Sequence, residues 1–124
     1  MTAVGVLAGL FLIAHGLVHA LYFVTANDPG YPMTADKSWL VTRADVPLGP
    51  VRRLVSILAI ASLVGFCLAA LSHWGLVVPS EWFATLALVS SAISLLLIAV
   101  TWNIQFVFAV AINLGIIYWA LSSG

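Results

Sequence analysis

The stretch Trp82–Leu121 reads WFATLALVSSAISLLLIAVTWNIQFVFAVAINLGIIYWAL and holds no Asp, Glu, Lys or Arg. As one helix its roughly 40 residues, at about 1.5 Å each, would make a rod about 60 Å long, twice the hydrocarbon core of a bilayer. The polar group Thr101-Trp102-Asn103, with Gln105, divides it near the middle. The stretch therefore reads as two membrane spans, about 82–100 and 105–121, joined by a tight turn. Toward the N-terminus lie two further apolar runs, about 3–23 and 51–71. Each of the four holds about 17–21 residues, enough to cross a membrane. Lipid offers the backbone no hydrogen-bond partners, so a span is either a helix or part of a closed barrel. These runs lack the alternation of barrel strands and are about twice too long for them. The expected fold is all-α: a four-transmembrane-helix bundle, one domain over residues 1–124, with a long loop at 26–50 between the first two helices.

Composition agrees. Hydrophobic residues make up 64% of the 124-residue chain and charged residues 6%, and the mean hydropathy is +1.19. A soluble domain carries about 25% charged residues, so lipid is the expected solvent for most side chains. The formal net charge is zero, which gives no electrostatic case for nucleic acid as a partner. The single cysteine, Cys67, excludes an intrachain disulfide and a CxxC redox pair. Val24-Thr25-Ala26 resembles a small-residue cleavage site, but Met1-Thr2 brings no basic residue. The run also exceeds the h-region of a signal peptide, about 7–15 residues, and is expected to be a retained first helix.

Seven of the charged residues fall between Asp28 and Arg53, and Glu81 is the other. Lys37, Arg43, Arg52 and Arg53 are all the basic side chains there are. By the positive-inside rule the 26–50 loop is cytoplasmic and both termini lie outside. Arg52 and Arg53, at the start of the second run, can snorkel to headgroups. The loop opens with Asn27-Asp28-Pro29-Gly30 and closes with Pro47-Leu48-Gly49-Pro50, both turn-rich. Between them Thr34 to Ala44 is expected to form a short interfacial helix, capped by Thr34, with Asp36 in its first turn and Arg43 in its last. Trp39, Leu40 and Val41 would dip into the membrane surface. Trp74, Trp82, Tyr118 and Trp119 on one side, with Tyr22 and Trp102 on the other, would form interfacial belts.

The spans contain no carboxylate in their interior, whereas proton-coupled exporters usually need one there. HExxH, GxSxG and paired carboxylates are missing too, so no catalytic residue is expected. What the spans do hold is neutral polar groups. Taking each run's centre as the midplane, His15 lies about 3 Å toward the charged loop, His19 and Ser56 about 9 Å and Ser94 about 4–5 Å, with Asn113 near the centre. His15, His19 and Tyr22, spaced i, i+4, i+7, line one stripe of the first helix, which should face inward. The candidate cluster is therefore His15, His19, Tyr22, Ser56, Ser94 and Asn113. Two readings stand: a ligand or proton-handling site, or, more commonly, polar glue between helices at about 0.6–2 kcal/mol per bond. His15 should be uncharged, since no span supplies a counter-charge. The spacing of His15 and His19 suits two ligands of one metal ion, but Cys67 and His73 lie too far away in depth to join them. Two histidines on one helix face cannot clamp a haem. Neither metal nor cofactor is expected. Gly5-x-x-x-Gly9, the Ala61, Gly65, Ala69 series and the Ala87, Ser91, Ser94 face supply surfaces for close helix packing.

Several of these pieces together resemble a widespread group of small, uncharacterised bacterial four-helix membrane proteins. They are His15-Gly16-Leu17-Val18-His19-Ala20-Leu21-Tyr22-Phe23, Arg53-Leu54, Trp82-Phe83, Thr101-Trp102-Asn103 and Asn113. Tyr22 departs from the pattern, standing where a small residue is usual. The resemblance implies a self-contained bundle in a bacterial inner membrane and carries no activity. The expected function is thus non-enzymatic: binding of a small hydrophobic or amphipathic ligand, or service as an accessory subunit beside a partner membrane chain. The alternative is a transporter or channel, as a homodimer, with a polar pathway near His15 and Asn113.

Overall fold

The structure, a computed structural model, describes residues 2–24 and 33–123. Among these residues four segments are long and apolar enough to cross a membrane: Ala3–Phe23, Leu48–Trp74, Ser80–Val100 and Ile104–Ser123. The helices are α1 (Ala3–Val18), α2 (Leu21–Val24), α3 (Trp39–Thr42), α4 (Leu48–Trp74), α5 (Phe83–Val100) and α6 (Val107–Ser123). The described residues contain no strand. Backbone packing joins the long helices in chain order, α1 to α4, α4 to α5 and α5 to α6. The first and last helices stand apart along most of their length.

The elements start and stop for local reasons. Thr2 caps α1 by accepting from the Gly5 N–H at 3.1 Å. At the end of α4, Gly75 takes a left-handed φ of 68°. The Leu76 N–H then reaches Leu71 O at 2.9 Å and the Gly75 N–H reaches Ser72 O at 3.0 Å, a Schellman closure. At 27 residues α4 is about 40 Å long, longer at both ends than the 51–71 expected: Leu48-Gly49-Pro50, read as part of a turn, form its first residues, and exposed Arg52 and Arg53 follow them. The Thr101–Gln105 turn is where the uncharged stretch predicted it. Asn103 caps the 3-10 turn Ile104–Phe106 by accepting from the Gln105 N–H at 2.9 Å.

Two expectations are corrected. The first run is not one unbroken helix, because it tightens at His19-Ala20 between α1 and α2. There the His19 and Ala20 N–H groups bond to Gly16 O and Leu17 O, each at 3.0 Å, three residues back instead of four. The Thr34–Ala44 helix is also broken. Thr34 caps only the 3-10 turn Ala35–Lys37, and Ser38 then restarts the chain as α3, capping it through the Leu40 N–H at 3.2 Å. The reason lies at the end of α5, whose last carbonyls have no intrahelical donors. Ser38 Oγ donates to Val100 O at 2.5 Å and Trp39 Nε1 to Ala99 O at 2.6 Å. The loop is held to the end of a distant helix, and Leu40 and Val41 turn inward onto the core instead of outward. The turn expected at Asn27–Gly30 lies outside the described residues.

The core has two layers. One gathers Leu12, Phe66, Ala69, Ala70, Phe83, Ala87, Ile116 and Ala120; the other, nearer the charged loop, gathers Tyr22, Val51, Val55, Leu58, Ala59, Leu97 and Val100. Small residues make close approaches inside the chain. Gly9 lies against the Trp74 indole and Gly65 against Ser90. The aromatic belts are thinner than expected. Trp82, Trp102 and Tyr118 are exposed, but Tyr22 is buried. Trp74 donates to Gly5 O at 3.0 Å, and Trp119 packs on Phe83 and His73 with ring centres 4.8 and 5.1 Å away.

Candidate functional site

The tightened turn after α1 creates the first element of the site. In a regular helix the His15 carbonyl would take the His19 N–H, but that N–H goes to Gly16 O. The His19 ring fills the gap, with Nδ1 3.0 Å from His15 O and 3.1 Å from Gly16 O. Both neighbours are acceptors, so Nδ1 carries the hydrogen, and in a neutral ring Nε2 must accept. Its partner is Ser94 Oγ at 2.8 Å. The Ser94 hydrogen is thereby committed, and its oxygen accepts from Asn113 Nδ2 at 3.0 Å. Asn113 Oδ1 then accepts from His15 Nε2 at 2.9 Å. One direction of donation runs through the whole set. Turning the Asn113 amide over would take the Ser94 hydrogen and leave His19 Nε2 without a donor.

The network ties α1 to α5 and α6, and all four side chains are buried. Phe66 of α4 closes its back, with its ring 4.7 Å from His15 and 5.7 Å from His19, centre to centre. Gly16 makes this possible, since a Cβ there would stand 3.0 Å from Phe66 Cβ and 3.2 Å from Leu63 O. Tyr22 belongs to a second pair nearby. Its hydroxyl is 2.7 Å from Thr101 Oγ1, and Thr101 spends its own hydrogen on Leu97 O at 2.8 Å. Tyr22 is therefore the donor. Thr101 reads in the sequence only as a turn marker; the missed signal was its position one residue past α5, at the depth of Tyr22.

Five of the six expected residues are thus engaged across helices. Ser56 is the correction: half-buried on α4, it takes no part in the network. It flanks the buried face marked by Val55, Leu58, Ala59 and Ser62. Ser62 itself turns back onto Leu58 O at 2.8 Å. Among the described residues no group of three or more His, Cys, Asp or Glu could hold a metal ion. Both His19 nitrogens are already bonded to protein.

Where α1 and α6 stand apart, a cleft of about 460 Å³ opens beside the network. Val18, His15, His19 and Tyr22 form one wall, Ser94, Leu97 and Ile98 the floor, and Phe106, Phe108, Ala109 and Ile112 the other wall, with Met33 and Gln105 at the charged-loop end. That volume lies within the range of small-molecule sites, about 300–1,000 Å³. The lining is mostly apolar with a few convergent polar groups, and Val18 and Phe108 on its rim are exposed. A second hollow of about 320 Å³ lies at the other end, between Ser72, His73, Glu81 and Trp119. The Leu12, Phe66, Ala87, Ile116 layer lies between the two.

Fold and site together define a four-helix chain with a polar network at mid-depth and a cleft in its side. No family model, curated protein or solved structure matches it.

Proposed function

We propose that this chain is a multi-pass protein of a bacterial inner membrane that binds a small hydrophobic or amphipathic molecule in the cleft between α1 and α6. The observation that carries the reading is the cleft itself: apolar walls, a polar end at His15, His19 and Tyr22, and an exposed apolar rim at Val18 and Phe108. With the four long helices across a bilayer, that rim faces lipid tails, so a lipid-soluble molecule can enter sideways without crossing water. The basic residues around the first loop favour a cytoplasmic position for it, with both termini outside. The likeness to small bacterial four-helix membrane proteins points to the same setting. A binding role suits the chemistry better than catalysis, because the network offers neutral hydrogen-bonding groups and no carboxylate. It suits the packing better than transport, because the apolar layer around Leu12 and Phe66 separates the cleft from the opposite hollow.

Native mass spectrometry of protein purified in mild detergent tests this. Wild type should retain a small non-protein molecule, and Ala109→Trp, which fills the cleft from α6, should lose it. Equal retention by both would overturn the cleft as the site. A partner chain that persists through purification, with no small molecule bound, would favour the accessory-subunit role instead.

A further inference from the structure

The direction of donation in the network also restricts what the cleft can hold. We infer that the occupant is a neutral amphiphile whose polar end donates a hydrogen bond, that is, a lipid-soluble alcohol or phenol. The inference rests on the cleft being the ligand site and adds the chemistry of its polar end. His19 uses Nδ1–H on two carbonyls and Nε2 on Ser94, so its ring is complete. The one Ser94 hydrogen goes to His19, and the Tyr22 hydrogen goes to Thr101. His15 donates from Nε2 to Asn113, which leaves Nδ1 as a lone-pair acceptor with no partner among the described residues. The Tyr22 oxygen likewise keeps a lone pair. The spare Asn113 N–H is no help to a ligand, since Asn113 is fully buried and does not line the cleft.

Among the described residues the unmatched polar valences of the cleft side chains are therefore acceptors. Gln105, exposed at the mouth, is the exception and offers both kinds. A ligand hydroxyl satisfies such an acceptor. A ketone, ester or ether oxygen brings a second acceptor and leaves both unpaired, which is penalised in an apolar site. Charge is excluded by a separate argument. Among the described residues no Asp, Glu, Lys or Arg lines the cleft, so a carboxylate or an ammonium head would be stripped of water with no counter-ion from them. The apolar remainder of the molecule would lie along Val18, Leu97, Phe108 and Ile112 toward the exposed rim.

The test uses matched probes: a long-chain para-alkylphenol, its methyl ether, and a fatty carboxylate of equal chain length. Each is titrated into detergent-purified protein, and occupancy is read by native mass spectrometry. Wild type should bind the phenol about tenfold more tightly than the ether, the loss expected for one unmade hydrogen bond in an apolar site. The carboxylate should bind no better than the ether. In His15→Phe the preference for phenol over ether should shrink toward unity. If that variant does not fold, the wild-type ratio decides alone. Equal wild-type binding of phenol and ether, lost for both in Ala109→Trp, would overturn the donor requirement and leave the cleft as a binding site. Preference for the ether or the carboxylate would overturn it as well. Binding of no probe beyond the level of Ala109→Trp would remove the cleft reading and this inference with it.

Discussion

Asn113→Leu removes the central member of the network while keeping nearly the same volume. Asn113 is fully buried and makes two contacts between helices, accepting from His15 at 2.9 Å and donating to Ser94 at 3.0 Å. Bonds of this kind are worth about 0.6–2 kcal/mol each. The substitution also strands the His15 N–H against apolar surroundings, at a cost of about 1–3 kcal/mol. The lost bonds and the stranded donor overlap, and together they should cost about 2–4 kcal/mol. His15→Leu alone strands the amide from the other side and should cost about 1–3 kcal/mol. The double variant leaves no half-pair behind, so it should fall short of the sum of the singles by about 1–2 kcal/mol. His15→Gln, which can still donate to Asn113, should cost less than His15→Leu. Reversible unfolding in mixed micelles, titrated with denaturing detergent, measures all of these. Additivity of the two leucine substitutions within about 0.5 kcal/mol would mean that His15 and Asn113 do not meet, and the network would lose its link to α6.

Other sites give separate tests. Gly9→Ala places a Cβ against the Trp74 indole and should cost about 1–3 kcal/mol, with a change in tryptophan fluorescence as Trp74 is displaced. Ser38→Ala leaves the Val100 carbonyl without its donor; the loop should become more sensitive to protease while the four long helices keep their circular dichroism. Val77 holds a left-handed φ of 63° although β-branched and almost wholly exposed, so Val77→Gly should raise stability by about 1 kcal/mol, read as a higher melting temperature. In a Cys67→Ala background, a cysteine at Arg43 should be shielded from impermeant reagent in intact cells and one at Ser123 labelled; the reverse pattern would invert the orientation.

Much of the architecture is legible in the sequence because its terms are coarse. Length against bilayer thickness and the absence of charge suffice to find four long helices, and Thr101–Gln105 marks the division of the longest run. The network members could be gathered by depth alone, since His15, His19, Ser94 and Asn113 sit at similar heights on their helices. Depth is blind to rotation about the helix axis, which is why Ser56 joins the others on paper and flanks them in the fold. The tightening at His19 was also out of reach. It goes together with a side chain taking a backbone carbonyl that the regular helix would use, and hydropathy carries no trace of that. The fate of the loop was hidden for a related reason, because Ser38 and Trp39 answer to the end of α5, far along the chain.

The chain separation across the network has a consequence in time. His15 and Asn113 are 98 residues apart, and His19 and Ser94 are 75 apart. At a synthesis rate of about 5–20 residues per second, His15 leaves the ribosome about 5–20 s before the amide that will accept its hydrogen bond. If the chain enters a bilayer as it is made, the first helix would carry both imidazoles in without partners on later helices, His19 until Ser94 emerges and His15 until Asn113 does. Only the bond from His19 to the carbonyls behind it is available at once. In such an insertion the tightened turn would act as a placeholder, covering one histidine early and leaving His15 to wait for the last helix to arrive.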